Sequence, residues 1–325
     1  MELIREADID PAPLVGKRVA IIGFGNQGRA QALNLNDSGI EVVVGLREGS
    51  PSRAEVQAAG IAVSLPSEAA GDADLVMLLA PDETLPKIYA GLEPMLRPGT
   101  ALGFSHGLAI HFQQIRPRSD LDVFLVAPKG PGTALRSLYK EGKGMIALWA
   151  VAQDSTGTAR ATALAYGRAI GCARAGLIAS SFEEEAVADL FNENAVVWGG
   201  VPELLRAGFE ALVGAGVTPE IAYMECVGEL KLLAELIEAR GIAGMREVIS
   251  NTAEFGAEIG GPRIVDAGVR DRMRSILADI KSGEFARALS DEAATDYPKL
   301  RAARQRDRAA ILERTFVRLR DLGGN

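Results

Sequence analysis

The first half of the chain alternates short, apolar, β-branched runs with stretches of helical period. Arg18–Ile22, Glu41–Leu46, Leu75–Leu79, Ala101–Ser105 and Val123–Ala127 are each near-continuous in apolar residues, which predicts strands buried on both faces. Helical stretches between them make a repeated βαβ pattern, which implies a parallel sheet. Beyond Ser181 the texture changes. Glu183–Val197, Pro202–Val213, Pro219–Ala239 and the segment from Glu284 onward read as long helices with few strand-like runs between them. The pattern predicts an α/β domain over residues 1–181 and an all-α domain over 182–325.

Composition narrows the function. The 325 residues are 48% hydrophobic and 24% charged, ample for two cores. Acidic residues outnumber basic ones, 43 to 35, and no Lys/Arg block occurs, so no nucleic-acid partner held by counterion release is expected. The stretch Met1–Pro13 is acidic and has no apolar run, and no segment is long and apolar enough for a membrane span. Cys172 and Cys226 have no CxxC spacing, which supports neither a disulfide framework nor a thiolate zinc site. A cytoplasmic enzyme acting on a small molecule is the expectation.

Gly23-Phe24-Gly25-Asn26-Gln27-Gly28 follows the strand Arg18–Ile22 and opens a helix through Arg29–Asn36. This is the dinucleotide fingerprint in its strand-turn-helix setting: the glycines let the backbone approach a pyrophosphate seated on the helix N-terminus. At the end of the second strand, an acid would suit a ribose hydroxyl. This chain instead has Arg47, followed by Ser50, Ser52 and Arg53. An arginine and hydroxyls suit a 2′-phosphate, although Glu48 in the same loop opposes it. NADPH is the expected cofactor, with NADH the alternative.

Two carboxylate pairs stand at i, i+4 in helical stretches: Asp189 with Glu193, and Glu225 with Glu229. Like charges at that spacing repel, and apolar neighbours such as Leu190, Phe191 and Leu230 flank them, so a hard divalent cation is a natural counter-charge. Two ordinary solvated helix faces would look the same. The two histidines, His106 and His111, follow the strand Ala101–Ser105, and Lys129 follows the next one. Open α/β sheets present ligands at those carboxyl ends.

With these residues in view, the chain resembles the short, class I ketol-acid reductoisomerases over nearly its whole length. The resemblance rests on GFGNQG at Gly23–Gly28, VVVGLR at Val42–Arg47, SHG at Ser105–Gly107, APKGPG at Ala127–Gly132 and QDSTG at Gln153–Gly157. It continues through DLFNE at Asp189–Glu193, PEIAYMECVGELKLL at Pro219–Leu233, ISNTAEFG at Ile249–Gly256 and GPRI at Gly261–Ile264. It implies a Rossmann N-terminal domain and a knotted, all-helical C-terminal domain that forms a homodimer or a multiple of dimers. By matching motif, Asp189 would bridge two Mg²⁺ ions and Glu193 would bind one of them. Glu225 and Glu229 of a second subunit would reach the other. Ser250 would contact the substrate carboxylate, while His106 and Lys129, with Glu229, would serve the reaction centre.

The implied reaction turns 2-acetolactate or 2-aceto-2-hydroxybutyrate into a 2,3-dihydroxy acid, by alkyl migration followed by hydride transfer. The chain departs from the usual family pattern at Asn26, Arg29 and Gln31 in the turn that commonly reads GSQGHAHA, and at Thr133, Ala109, Trp198 and Gly228. A second reading is therefore a reductase on the same fold that acts on a different carbonyl or an imine. A third, a non-catalytic nucleotide sensor or scaffold, would have no use for the retained carboxylates.

Overall fold

The apolar runs of the first half become the middle of one sheet in a computed structural model that describes residues 2–323. Its strands are β1 (Leu3–Ile4), β2 (Arg18–Ile22), β3 (Glu41–Gly45), β4 (Ala62–Ser64), β5 (Leu75–Leu78), β6 (Ala101–Phe104), β7 (Asp122–Pro128), β8 (Ala147–Gln153) and β9 (Leu177–Ala179). They lie in the order β1-β9-β8-β7-β6-β5-β2-β3-β4. The helices of this half are α1 (Asn26–Asp37), α2 (Ser52–Ala58), α3 (Pro66–Gly71), α4 (Leu85–Leu92), α5 (Leu108–His111), α6 (Gly132–Lys140) and α7 (Ala159–Ala169). The chain divides into two compact units, Met1–Ala188 and Asp189–Asn325, with α8 (Phe182–Phe191) passing from one to the other.

Successive residues of β2 point to opposite faces. Val19 and Ile21 join a buried cluster with Leu35 of α1 and Tyr166 of α7, whereas Ala20 and Ile22 join Tyr89 and Leu92 of α4. Burial on both faces is why these runs are apolar throughout. β3 and β5 flank β2 on opposite sides, which puts the switch in strand order at the carboxyl end of β2, above the fingerprint turn.

The expectation of a parallel sheet needs one correction. Strands β2 to β7 are parallel, but β8 pairs antiparallel with β7 and β1 antiparallel with β9. After α6 the chain re-enters the sheet beside the strand it has just left: Ala147 opposes Pro128, and Lys129 N–H donates to Ile146 O at 2.9 Å. The reversal is anchored by the QDSTG motif. Asp122, 1% exposed, accepts hydrogen bonds from Ser155 and Thr156, backbone and hydroxyl alike, at 2.6–3.0 Å. That motif is a clamp on the sheet. Cys172 is buried in the same core, and burial pushes its thiol pKa up to about 12, so it stays protonated.

The second unit continues with α9 (Gly200–Gly214), α10 (Pro219–Tyr223), α11 (Leu230–Arg246), α12 (Asn251–Ile264), α13 (Ala267–Lys281), α14 (Glu284–Ala294), α15 (Pro298–Ala309) and α16 (Ile311–Gly323). Two helices expected to run unbroken, Glu183–Val197 and Pro219–Ala239, are interrupted by π-helical turns at Asn192–Val196 and Met224–Gly228. Such a turn takes one more residue per hydrogen-bonded ring than an α-turn and is a feature often found at functional sites. Side-chain spacing in the sequence does not signal it. Both turns fall on the carboxylate pairs. Ser250 and Asp266 cap α12 and α13 with their side chains, and Arg318 of α16 donates to Glu220 of α10 at 2.9 Å. Among the described residues, no helix is long and apolar enough to cross a membrane.

Candidate active site

The fingerprint turn has the geometry a dinucleotide phosphate needs. Gly23 sits at φ +104°, and a Cβ there would lie 2.8 Å from Ala80 N. A Cβ on Gly28 would lie 2.4 Å from Gly23 O, so that glycine lets α1 pack against the turn. Gly25, the N-cap of α1, has no neighbouring atom within 4 Å of a Cβ and no side chain capping the helix. Its face is open. The first N–H in the ladder, Arg29 to Gly25 O at 2.9 Å, leaves those of Asn26, Gln27 and Gly28 directed out of the helix end. Phe24 is 8% exposed and joins the sheet core.

The turn is stitched to the loop after β7. Gln27 Nε2 donates to Gly130 O at 2.9 Å, and Asn26 Oδ1 accepts from Thr133 N–H at 3.0 Å. A Cβ on Gly132 would meet Asn26 O at 2.0 Å, which explains the second glycine of APKGPG. A cavity of about 450 Å³ opens beside this seam, lined by Gly25, Asn26, Arg29, Thr133, Arg136 and Lys140 among others. Another, of about 580 Å³, lies at the amino ends of the strands, where Lys17 and Arg97 pair with Asp74. It is at the wrong end of the sheet for the cofactor.

After β3, Arg47 is exposed, Ser50 N–H donates to Arg47 O at 3.2 Å, and Ser52 opens α2. Arg53 bends back instead, donating to Leu46 O at 2.8 Å. Its guanidinium holds the strand end, whereas the Arg47 side chain stays exposed.

At the ends of β5, β6 and β7 the polar groups converge. His106 follows β6 with its side chain 15% exposed and Nδ1 3.9 Å from Asp82 Oδ2, in the loop after β5. Lys129 Nζ donates to Glu185 Oε1 at 2.7 Å, and Gly107 N–H donates to Glu185 Oε2 at 2.7 Å. Glu185 is 1% exposed, and its buried carboxylate is held by an ammonium and a backbone donor. A Cβ on Gly107 would lie 2.3 Å from Phe182 O, so the glycine of SHG lets the start of α8 approach. Neither Asp82 nor Glu185 stands out in the sequence. His111, the other histidine, ends the short helix α5 against Phe112.

The carboxylate pairs belong to the second unit. Asp189 is half-buried, while Glu193, Glu225 and Glu229 are exposed, so within one chain three of the four stand on solvated faces. Asp189 lies in α8, Glu193 and Glu225 lie inside the π-turns, and Glu229 follows the second. Among the described residues no group of three or more His, Cys, Asp or Glu is gathered as a metal cluster. The two pairs therefore do not meet within the chain. As carboxylates at the surface they remain the oxygen donors that Mg²⁺ prefers. Ser250 Oγ accepts from Ala253 N–H at 3.2 Å as the N-cap of α12, which leaves its hydroxyl hydrogen to donate.

Comparison with known proteins places this geometry in a family. Residues 13–176 match the model for the acetohydroxy acid isomeroreductase NADPH-binding domain, and residues 182–323 match that for the ketol-acid reductoisomerase C-terminal domain. The chain is 47% identical over 316 residues to a ketol-acid reductoisomerase (NADP(+)) of Mycobacterium ulcerans, covering 97% of this chain and 95% of that one. It is also 47% identical over 322 residues to the enzyme of the same name from Kineococcus radiotolerans, covering 99% and 94%. The solved structure of an NADH-preferring ketol-acid reductoisomerase from an uncultured archean superposes with a TM-score of 0.96 at 43% identity, covering 99% of both chains. A Rossmann unit with an open phosphate turn, followed by a helical unit bearing two carboxylate pairs, matches these relatives from end to end, and the chain belongs to the ketol-acid reductoisomerase family.

Proposed function

We propose that the protein is an NADPH- and Mg²⁺-dependent ketol-acid reductoisomerase that converts 2-acetolactate or 2-aceto-2-hydroxybutyrate to the corresponding 2,3-dihydroxy acid. The observation that carries this reading is the seam between the fingerprint turn and the Lys129 loop, closed by Gln27 on Gly130 O. A nicotinamide cofactor laid on that turn would reach the strand ends where His106, Lys129 and Glu185 converge. When bound, NADPH would supply the hydride, and a pair of divalent cations would polarise the substrate's hydroxyl and carbonyl oxygens.

The chain's own groups have distinct tasks in this reading. Asp189 and Glu193 of one copy, with Glu225 and Glu229 of a second, supply the carboxylate oxygens. Lys129, fixed by Glu185, brings its positive charge to the strand ends, where it would stabilise oxygen atoms that gain negative charge. His106, beside Asp82, can give or take a proton at the same edge. Ser250 donates its hydroxyl hydrogen to the substrate carboxylate.

Completion of the site by a second copy is supported by the apolar surface of the helical unit. Trp198, Leu232 and Phe255 are 64%, 57% and 68% exposed, more than a solitary soluble domain ordinarily leaves uncovered. In this reading the helical unit, knotted as in its family, is the dimerisation domain, and the enzyme is cytoplasmic.

Cofactor choice is read from the loop after β3. Although one similar enzyme prefers NADH, Arg47 with Ser50 and Ser52 offers a cation and hydroxyls to a 2′-phosphate. Arg47→Ala is expected to weaken NADPH binding roughly tenfold, the worth of one charge-assisted hydrogen bond, and to leave NADH within about twofold. Fluorescence titration of both nucleotides checks this.

The activity is tested by NADPH oxidation with 2-acetolactate and Mg²⁺, with the already rearranged 3-hydroxy-3-methyl-2-oxobutyrate in parallel. Turnover of both is the expected result. Turnover of the rearranged acid alone would remove the alkyl shift from the proposal. Silence on both, with NADPH bound, would favour a reductase of a different carbonyl or an imine.

A further inference from the structure

A chain of buried and part-buried hydrogen bonds joins the cofactor turn to both strand ends of the reaction centre, and its hub is Gln31. Gln31 is fully buried on α1. Its Oε1 accepts from the Tyr166 hydroxyl at 2.6 Å, and its Nε2 donates to Gln27 Oε1 and to Ser105 Oγ, each at 3.0 Å. Gln27 in turn donates to Gly130 O at 2.9 Å, and Ser105 donates to Val126 O at 2.8 Å.

Donor and acceptor accounting fixes the direction of every bond. A backbone carbonyl can only accept, so Ser105 spends its single hydrogen on Val126 O and can only accept from Gln31. Gln27 likewise commits its amide nitrogen to Gly130 O and turns its oxygen to Gln31. Gln31 must therefore show N–H to both, which leaves its oxygen for Tyr166. Burial pushes the Tyr166 hydroxyl well above its ordinary pKa, so it remains a donor. Two carbonyls of the β7 region thus polarise the network and forbid a flip of the Gln31 amide.

Each end of the network abuts a working part. Gln27 is in the first turn of α1, Ser105 precedes His106, and Gly130 follows Lys129. We propose that Gln31 is a positioning residue, which sets the cofactor turn against His106 and Lys129 through Gln27 and Ser105. The proposal rests on the functional reading above only for the substrate used.

Two variants separate positioning from bulk packing. Gln31→Leu removes all three bonds of the hub, whereas Tyr166→Phe removes only the donor on the side away from the strand ends. Both leave buried polar atoms unpaired, so both should lower the unfolding midpoint by a few degrees. Only Gln31→Leu is expected to weaken NADPH about tenfold, measured without substrate, and to lower kcat by about tenfold or more. Equal NADPH affinity and kcat in the two variants would overturn the proposal.

Should Gln31→Leu fail to fold, Gln31→Met carries the test. The thioether keeps the length of the side chain and a weak acceptor for Tyr166 but has no donor for Gln27 or Ser105. NADPH affinity is expected to fall about tenfold relative to the native protein. An affinity equal to that of the native protein would overturn the assignment. Because NADPH binding is measured alone, silence on 2-acetolactate would count against the functional reading and leave this test intact.

Discussion

Asp189→Asn is expected to lower NADPH-dependent turnover by about a thousandfold or more while leaving NADPH affinity within about twofold. The substitution keeps the shape of a half-buried side chain and replaces a hard anionic donor with a neutral amide. In the proposed site Asp189 would hold the divalent cations, and losing it would remove several kcal/mol of the charge stabilisation they would supply, each 1.36 kcal/mol being a factor of ten. The cofactor turn belongs to the other compact unit, with its own core, so its phosphate contacts should survive. Steady-state rates with Mg²⁺ and a direct NADPH titration give the two numbers. Equal loss of both would contradict the separation of metal and nucleotide sites.

The second large effect falls on a residue outside the familiar motifs. Glu185→Ala leaves the Lys129 ammonium without its carboxylate and the Gly107 N–H without its acceptor. Breaking a buried pair costs about 3–5 kcal/mol, and the partial exposure of Lys129, 31%, places the expectation at about 2–3 kcal/mol. At about 2–4 °C per kcal/mol for a unit of this size, the unfolding midpoint should drop by roughly 5–10 °C. Turnover should fall by about a hundredfold, because a misplaced Lys129 costs rate beyond its effect on stability. Glu185→Gln keeps an acceptor for Gly107 N–H, so it should recover much of the stability and little of the rate. A Glu185→Gln variant with native kcat would show that the pair is structural only.

How much of this was legible in the sequence depends on whether a residue's role is local. The apolar runs of β2, β3, β5, β6 and β7 are readable because both faces of each are buried, and the fingerprint turn because its glycines answer to close backbone contacts. β8 escapes the reading because several of its positions are half-exposed and its partner β7 is set by tertiary contact. β1, β4 and β9 are two or three residues long, too short for periodicity to register.

The same distinction governs the site. His106 and Lys129 are visible because each follows a strand. Glu185 is hidden in the run Glu183-Glu184-Glu185, which reads as ordinary first-turn charge at the start of α8. Only the rotation of that helix against Gly107 turns one of the three carboxylates inward. Gln31 stands out only as a departure from the family's usual turn, and its role is hidden for a similar reason: a polar residue on a helix looks solvated until Tyr166 and Ser105, distant in sequence, close over it. The carboxylate pairs are plain in the sequence, but the π-turns that carry them are a backbone event with no compositional mark.

The most direct test of the account is the identity of the product from 2-acetolactate labelled with carbon-13 in the C2 methyl group, incubated with the enzyme, Mg²⁺ and NADPH. Alkyl migration followed by reduction predicts 2,3-dihydroxy-3-methylbutanoate with the label on C3, formed in step with NADPH consumed. Reduction without migration would give 2,3-dihydroxy-2-methylbutanoate with the label still on C2, and that product would contradict a reductoisomerase.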